Sequence, residues 1–340
     1  MTTFALTPLV NAPSESLPSG FSSTLALIMA QCCALSYTQL SQSASPSTAL
    51  STSELSALNV ASGPNATTYT FTQLSYPNTT PSQPAIVPFT GSESLGLGFT
   101  SAQPGAFVTI PFGFAVSVSD SSGNALFNII ALRGTQTYEE WVTDTDVVPT
   151  SFALNTASDP GDVPGGFYKM YVQGTDGVAP TLNTPRPQGS IAQQLASLLQ
   201  SSSWNSSIPL YVTGHSLGAA LAVFAAMDAA CNFPKSFSQL YMYNFAPPNV
   251  SASGVFASEA QFANNFQTKV PNSFSVINAA DIVPTLPPGS LSLGPLTLEF
   301  MQAVSSSNRV VYCAQLESLG NNHSLENNYL QFVSQLAGVS

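Results

Sequence analysis

The most informative stretch of this sequence runs from Leu210 to Ala230 and reads LYVTGHSLGAALAVFAAMDAA. Its first four residues are apolar, aromatic or β-branched, which predicts a buried strand, and the small apolar residues after the second glycine are typical of a helix packed closely on a sheet. Between them lies Gly214-His-Ser-Leu-Gly218, which matches the pattern G-x-S-x-G. A sharp strand-to-helix turn brings two backbone segments close together, so it requires glycines on both sides. The stretch therefore predicts a turn that lifts the Ser216 hydroxyl above a sheet, at the positive end of a helix.

Predicted strands and helices alternate on both sides of this turn. In chain order they are strands over 114–118 and 125–132 joined by a hairpin turn at 120–124, a helix over 191–199, a strand over 209–213, a helix over 217–230, a strand over 240–245, a helix over 258–266, a strand over 273–278 and a final helix over 324–336. Such alternation indicates an α/β fold, in which helices cover both faces of a mainly parallel central sheet.

The N-terminal third of the chain has a different composition. Residues 1–20 are rich in Ser, Thr and Pro, 21–40 reads as a helix, and 63–103 is again rich in Pro, Thr and Ser with short apolar runs. We expect short strands or ordered coil there, packed on the edge of the sheet. The predicted organisation is a flexible arm over 1–20, a helix and extension over 21–110, and a main domain over 111–340, together forming a single domain with an N-terminal extension.

Composition and charge restrict the partners of the protein. Only 7% of its 340 residues are charged and the net charge is −11, which argues against binding to nucleic acid or to anionic membranes but not to a neutral oil. There is no apolar run of about 18 residues, so no transmembrane segment is predicted. The longest apolar run, 25–35, reads as a buried helix, because the first basic residue is Arg133 and a signal peptide normally begins with one. We expect a secreted protein whose signal is not in this sequence.

The four cysteines, Cys32, Cys33, Cys231 and Cys313, fit no zinc motif. Two interpretations stay open. One is a disulfide that joins Cys313 to Cys32 or Cys33, and the other is a set of buried free thiols.

A serine nucleophile needs a base, and the sequence contains two histidines. His215 directly precedes Ser216, so its side chain should point away from the hydroxyl and pack beneath the turn. His323 lies in the polar segment Gly320–Ser324, just before the last predicted helix. His323 is therefore the candidate base.

The third candidate is a carboxylate that orients the imidazole. The interval between the serine and the base holds Asp228, Glu259, Asp281, Glu299 and Glu317. Asp281 follows a predicted strand and opens a proline-rich apolar segment, which would hold its carboxylate in a fixed, poorly solvated position. Glu299, in an apolar segment without turn signals, is the alternative.

Acyl chemistry at a serine also needs backbone donors for an oxyanion. The amide of Leu217, directly after the candidate nucleophile, is one. Thr135 is the second candidate, because the strand Ile129–Leu132 ends in Arg-Gly-Thr and places this residue at the carboxyl end of a strand.

Together these residues resemble the class 3 lipase family, which includes fungal triacylglycerol lipases and related feruloyl esterases. The matching motifs are Arg133-Gly-Thr135 followed by Trp141 and Asp144, Gly166-Phe-Tyr168, Thr213-Gly-His-Ser-Leu-Gly218, Asp281-Ile-Val-Pro284 and the late His323. The resemblance covers residues 110–335. It implies an α/β-hydrolase fold for the catalytic domain, a Ser216–Asp281–His323 triad with Thr135 and Leu217 as the oxyanion hole, and cleavage of carboxylic esters without a metal or organic cofactor.

In this family the segment after the oxyanion residue is a mobile lid, which corresponds here to 136–146. Tyr138, Trp141 and Val142, with an apolar loop over 286–298, are expected to line an acyl pocket or to face an oil–water interface. Ordinary core packing of these side chains is the alternative.

The resemblance favours an ester or lipid substrate, with acylglycerols first. Departures from the family pattern at Ala219, in Val163-Pro-Gly-Gly-Phe167 and in Asn244-Phe-Ala-Pro-Pro248 leave the choice of substrate open. The alternatives are a soluble carboxylesterase or feruloyl-type esterase, an acyltransferase or amidase with the same triad, and a non-catalytic interaction module.

Overall fold

The computed structural model describes residues 16–41, 50–58, 69–74, 89–94, 107–134, 146–154, 160–174, 185–253, 261–293, 296–314 and 317–339. Its strands are β1 (Thr70–Gln73), β2 (Phe89–Ser94), β3 (Phe107–Ser119), β4 (Ala125–Leu132), β5 (Pro149–Ser151), β6 (Asp162–Pro164), β7 (Leu210–His215), β8 (Leu240–Phe245), β9 (Ser251–Ser253), β10 (Ser273–Asn278), β11 (Ser290–Leu293), β12 (Leu296–Met301) and β13 (Arg309–Tyr312). Its helices are α1 (Ser23–Ser41), α2 (Thr52–Ala57), α3 (Gly165–Val172), α4 (Ile191–Leu199), α5 (Leu217–Asn232), α6 (Gln261–Lys269), α7 (Leu319–His323) and α8 (Leu330–Leu336). A π-helical turn (Leu325–Tyr329) precedes α8.

The central sheet has the strand order β1–β3–β4–β7–β8–β10–β13 in the described part of the chain, and β2 pairs with the first half of the long β3. The five strands from β4 to β13 in this order run parallel to one another, and β1, β2 and β3 are antiparallel to their neighbours. Helices cover both faces. This arrangement is an α/β-hydrolase fold, and it confirms the predicted fold class. The carboxyl ends of β4, β7 and β10 meet at one edge, which is where sheets of this kind hold their sites.

The hairpin between β3 and β4 has the predicted turn. The Asp120 carboxylate accepts hydrogen bonds from the backbone N–H groups of Ser122 and Asn124, and Gly123 has a φ of 82°. The Asn124 side-chain amide also donates to this carboxylate, and these hydrogen bonds hold the pKa of Asp120 below its ordinary value. These hydrogen bonds within the turn thus fix the register of the β3–β4 pair.

Two hydrophobic cores lie on the two faces of the central sheet. On one face α5 packs against β7 and β8 and is covered by α3, α4 and α6. Helix α5 is buried from Leu217 to Ala229, because its alanines allow the helix to approach the sheet closely. On the other face α1 packs on β3, β7 and β8 and against α8. The predicted N-terminal helix therefore forms part of the cover of the sheet.

A second, antiparallel sheet was not predicted from the sequence. Its order is β11–β12–β9–β6–β5. The prediction of an apolar loop over 286–298 is wrong for most of its length, because Ser290–Leu293 and the first residues of β12 are paired antiparallel strands. The signal was the alternation Ser290-Leu-Ser-Leu293, which has the period of two that a half-exposed strand requires.

Three helical segments also differ from the sequence prediction. Helix α3 was not predicted, and its two leading glycines explain why a propensity argument overlooks it. The predicted polar loop before His323 is the short helix α7, whose N-cap Ser318 accepts a hydrogen bond from the N–H of Asn321. The predicted last helix is divided into the π-helical turn and α8. No described helix is both long and apolar enough to cross a membrane.

All four cysteines are free, so the structure supports the thiol interpretation and not a disulfide to Cys313. Cys32 and Cys33 are buried in α1, and Cys313 is exposed. The Cys33 sulfur lies 3.3 Å from the Thr213 hydroxyl, and burial raises the pKa of Cys33 to about 12.

Candidate active site

The candidate nucleophile sits in a strained turn between β7 and α5. Ser216 has φ 60° and ψ −128°, a conformation that few residues other than glycine adopt. A Cβ atom at Gly214 would overlap the Gly218 backbone, and a Cβ atom at Gly218 would overlap the carbonyl of Leu132. The sequence pattern is thus explained by close backbone approach. The turn places Ser216 at the positive end of a 16-residue helix.

The structure brings Ser216, His323 and Asp281 together. His323 Nε2 lies 2.7 Å from Ser216 Oγ, and His323 Nδ1 lies 2.8 Å from Asp281 Oδ2. Because a carboxylate only accepts hydrogen bonds, Nδ1 carries the proton and Nε2 presents a lone pair to the serine hydroxyl. The Asp281 side chain is fully buried and that of His323 is 11% exposed. This geometry can remove a proton from the hydroxyl as it attacks an electrophile.

The Asp281 carboxylate has two further donors besides His323. The N–H of Val283 donates to Oδ1 at 2.9 Å, and the Tyr329 hydroxyl donates to Oδ2 at 2.7 Å. The N–H of Asn278 in turn donates to the Tyr329 oxygen. Burial and the nearby Asp281 charge raise the pKa of Tyr329 well above its ordinary value, so the phenol keeps its proton. Tyr329 was not identified from the sequence, where no motif marks it.

Buried amides hold the segments that carry the candidate base His323 and the candidate acid Asp281. The Asn278 side chain donates to the Asn322 carbonyl and accepts from the N–H of Ala314, which joins the end of β10 to the segment before His323. The Gln302 amide donates to the carbonyls of Pro247 and Pro284. The loop that begins at Asp281 is therefore tied to the loop after β8.

Two other carboxylates of the interval between Ser216 and His323 lie elsewhere. Glu299 is half-buried in β12 of the second sheet, so Asp281 and not Glu299 contacts the histidine. Asp228, in α5, forms a bidentate ion pair with Arg186 at 2.6 Å for both hydrogen bonds and accepts from the Tyr171 hydroxyl. That pair ties α5 to the segment before α4.

His215 points away from the nucleophile, as its position predicts. Its Nε2 lies 3.0 Å from the His323 carbonyl oxygen and its Nδ1 lies 2.9 Å from the Tyr37 hydroxyl. The two imidazole rings are 4.7 Å apart. Burial, and then the nearby His323, hold the pKa of His215 well below its ordinary value, so this ring is neutral.

The structure describes one of the two predicted oxyanion residues, Leu217. Leu217 is the first residue of α5, so its amide belongs to the helix end where N–H groups have no partner within the helix. Thr135 lies outside the described residues, as do Tyr138, Trp141 and Val142 of the predicted lid. The described segment that contains β4 ends at Gly134, where an added Cβ would lie 2.9 Å from Ser216 Cβ. The strand that leads to Thr135 thus ends beside the nucleophile.

Known proteins resemble this chain over the segment that contains Ser216 and Asp281. The family described as Lipase (class 3) matches residues 129–291. These residues belong to the class 3 lipase family. The class 3 lipase match begins in β4 and ends in β11, so it includes Ser216 and Asp281 but stops before His323.

Two curated plant proteins are similar to part of this chain. Phospholipase A1-II 6 of Oryza sativa subsp. japonica is 29% identical over 193 residues, which are 51% of this chain and 44% of the relative. The chloroplastic phospholipase A(1) DAD1 of Arabidopsis thaliana is 25% identical over 166 residues, which are 47% of this chain and 33% of the relative. The matched segment therefore spans less than half the length of either relative.

Solved structures of fungal lipases resemble the chain over a greater length. A lipase from Rhizopus microsporus var. chinensis is 17% identical, with a TM-score of 0.47, and the match covers 93% of this chain and 91% of that one. The native complex of Rhizomucor miehei lipase with its propeptide is 16% identical, with a TM-score of 0.46, and the match covers 88% and 83%.

Proposed function

We propose that this protein hydrolyses carboxylic esters of acylglycerols, with Ser216 as nucleophile, His323 as general base and Asp281 as the carboxylate that orients the imidazole. The observation that carries the proposal is the continuous line of hydrogen bonds from Ser216 Oγ through His323 to Asp281. The class 3 lipase match, which includes Ser216 and Asp281, supports the proposal.

The proposed reaction has two halves. His323 Nε2 takes the proton of Ser216 Oγ as this oxygen attacks the ester carbonyl carbon, and the amides of Leu217 and Thr135 donate to the oxyanion that forms. The bond to the alcohol oxygen then breaks, and this oxygen takes the proton from His323. In the second half, water attacks the acyl carbon as His323 takes its proton. The bond to Ser216 Oγ then breaks, this oxygen takes the proton back from His323, and the carboxylic acid is released. Acid should abolish the activity, because protonated His323 cannot accept the serine proton.

Apolar residues near the site support an acylglycerol substrate at an oil–water interface. Ile282, directly after Asp281, is 38% exposed, and Leu319, which opens the helix that ends at His323, is 55% exposed. We propose that these side chains, with Tyr138, Trp141 and Val142 in a lid over 136–146, contact the oil surface or the acyl chain. The net charge of −11 suits a neutral surface.

Hydrolysis of the acyl esters of phospholipids is the second candidate function. The observation that favours it is that both curated relatives described above are phospholipases A1. The same triad would serve, because the reacting group is a carboxylic ester in both lipid classes. The acidic charge of this chain would then favour a zwitterionic lipid surface over an anionic one.

The triad is tested first by substitution. We expect Ser216→Ala and His323→Ala each to lower kcat/KM on a soluble p-nitrophenyl ester by about 10⁴-fold or more, because members of a triad act as a unit. Asp281→Asn should be severe as well, and Glu299→Gln is its matched control, with activity near that of the wild type. A fluorophosphonate should label Ser216 in the wild type and in Glu299→Gln, and it should not label Ser216→Ala. Turnover within tenfold of wild type in either alanine variant would overturn the assignment.

The substrate class is tested with a series of lipids. The expected result is hydrolysis of tributyrin that rises sharply above its solubility limit, with slower release of fatty acid from phosphatidylcholine vesicles. Trp141→Ala should reduce that rise more than it reduces hydrolysis of a soluble short-chain ester, because a lid acts on access to the interface. Smooth saturation through the solubility limit would indicate a soluble esterase, and faster cleavage of the phospholipid would favour the second candidate.

We further propose that the protein is exported from the cell. Support comes from a surface with few charged residues and from a substrate that forms an oil phase. Expression of the full-length natural transcript with a C-terminal epitope, followed by assay of medium and cell lysate, tests this. Epitope confined to the lysate would contradict it.

A further inference from the structure

A tyrosine from the N-terminal helix reaches the rear of the candidate active site. Tyr37 lies in α1, outside the class 3 lipase match, and its hydroxyl is 2.9 Å from His215 Nδ1. The N–H of Gly134 donates to the same hydroxyl at 3.1 Å. One phenol oxygen thus contacts both the turn that holds the nucleophile and the strand end that precedes Thr135.

The direction of each hydrogen bond follows from the chemistry of the groups. The His323 carbonyl can only accept, so His215 Nε2 carries the proton and donates to it. A neutral His215 then has a lone pair on Nδ1, to which the Tyr37 hydroxyl donates. The Tyr37 oxygen is left to accept from the N–H of Gly134. Every donor in this chain has one acceptor, and the order cannot be reversed while the His323 carbonyl is its last member.

This chain joins two parts of the site that the triad does not connect. At one end is Gly134, whose carbonyl accepts a hydrogen bond at 2.5 Å from the buried Arg133 guanidinium. The Gly134 N–H donates to the Tyr37 hydroxyl. Both backbone polar groups of Gly134, which directly precedes the proposed oxyanion residue Thr135, therefore have hydrogen-bond partners. At the other end is the backbone of His323, the proposed base. Tyr37 and His215 therefore link the strand end at Gly134 to the backbone of the proposed base.

We propose that Tyr37, acting through His215, is a positioning residue that fixes the strand end at Gly134 relative to the backbone of His323. The inference rests on the proposed ester hydrolysis. Oxyanion donors and base act on one transition state, and a displacement of 1 Å costs on the order of 100-fold in rate. A substrate bound before attack depends less on these groups, so the effect belongs in kcat and not in KM.

The matched variants are Tyr37→Phe and Tyr243→Phe. Tyr243 is a buried tyrosine whose hydroxyl accepts the N–H of Ser22, so it anchors the other end of α1 to the sheet in the same way. We expect Tyr37→Phe to lower kcat on p-nitrophenyl butyrate about tenfold or more with KM within about twofold of wild type. Tyr243→Phe should keep kcat within about twofold and lose a comparable amount of thermal stability. Equal kcat in the two variants, or a change in KM alone, would overturn the proposal.

A second measurement does not depend on activity. The chain has two histidines, so ¹⁵N-labelled imidazoles give a simple NMR spectrum in which the neutral tautomer of each ring can be read. His215 should be protonated at Nε2 and not at Nδ1 in the wild type and in Tyr243→Phe. In Tyr37→Phe, where Nδ1 loses its donor, its ¹⁵N shift should move. A wild-type His215 protonated at Nδ1 would refute the hydrogen-bond order.

These readouts separate failure of the positioning role from failure of the proposed function. If the wild type hydrolyses no ester and Ser216 resists a fluorophosphonate, the proposed function fails and so does the positioning role that rests on it. If the wild type is active and Tyr37→Phe is equally active while folded, only the positioning role fails. Circular dichroism and a thermal melt of each variant establish that it is folded.

Discussion

Asp281 shows how much a single buried carboxylate depends on its donors. It receives hydrogen bonds from His323, Tyr329 and the N–H of Val283, and its side chain is fully buried. A carboxylate taken out of water is tolerated only when such donors replace its solvation. The position of this one oxygen pair therefore sets the tautomer and the direction of the His323 ring.

Removal of one donor gives a prediction at this scale. Tyr329→Phe deletes the hydroxyl that donates to Asp281 and accepts from Asn278, so it leaves two buried groups without that partner. We expect a loss of about 1–3 kcal/mol in the free energy of unfolding, measured by urea denaturation. We also expect a fall in kcat, because Asp281 then holds the imidazole less firmly. Tyr312→Phe is the control for loss of a nearby phenol, because the Tyr312 ring meets the Tyr329 ring edge to face. A Tyr329→Phe variant with unchanged stability and kcat would contradict this account.

At the scale of elements, α5 combines two roles that compete for the same residues. Its first turn must hold the Ser216 turn, and its body must approach β7 and β8 closely, so alanine is its most frequent residue. The larger side chains that fill the remaining space come from it and from its neighbours. Phe224, which is fully buried, contacts the rings of Phe152, Tyr171 and Phe262.

Truncation of that ring should be costly. We expect Phe224→Ala to lower the free energy of unfolding by about 3–5 kcal/mol, because the surrounding aromatic rings cannot close the cavity. Leu319→Ala, at a residue that is 55% exposed, is the control and should change stability by less than about 0.5 kcal/mol. Urea denaturation of both variants, followed by tryptophan fluorescence, measures the difference. Similar midpoints for the two variants would show that this core is not closely packed.

Elements with strong local signals could be predicted from the sequence. The bounds of β8, β10 and α4 agree with prediction. The two strands are short segments buried almost throughout, and α4 buries one face at helical spacing. The second sheet was missed because β5, β6 and β9 have three residues each and obtain their stability from pairing partners distant in the chain.

The same distinction explains which site residues the sequence revealed. Ser216, His323 and Asp281 have signals in their own neighbourhood or in their scarcity. Tyr37 and Tyr329 act through contacts that only the fold creates, 178 residues from His215 and 48 residues from Asp281 respectively. The predictions for Thr135 and for the lid remain proposals, since those residues lie outside the described structure.

At the scale of the whole molecule, acid should weaken the fold through His215. Its pKa lies well below the ordinary 6.5 because the ring is buried, and next because His323 is close. The unfolded chain therefore binds a proton near pH 6.5 that the folded protein refuses, so stability falls as pH decreases through that value. We expect His215 to contribute a loss of up to about 2 kcal/mol between pH 7 and pH 5.

Urea denaturation at pH 7, 6 and 5 measures that loss. The control is His215→Gln, which has no group that titrates in this range but retains a side-chain donor for the His323 carbonyl. The variant should lose less stability on acidification than the wild type, although it is less stable at pH 7. Parallel curves for the two proteins would show that His215 is not held neutral in the fold.

Helix α1, the π-helical turn and α8 pack on the same face of the sheet. This packing constrains the order in which the chain can fold during synthesis. The hydrogen bond between Ser216 and His323 joins residues 107 positions apart in the chain. The hydrogen bond from the Ser22 N–H to the Tyr243 hydroxyl joins residues 221 positions apart. Contacts between such distant parts of a chain form late, because the entropy of closing a long loop must be overcome first. A ribosome that has translated as far as the serine has not yet supplied the histidine. The nascent chain therefore carries the proposed nucleophile without the proposed base, and the triad can form only after the C-terminal segment has emerged and docked.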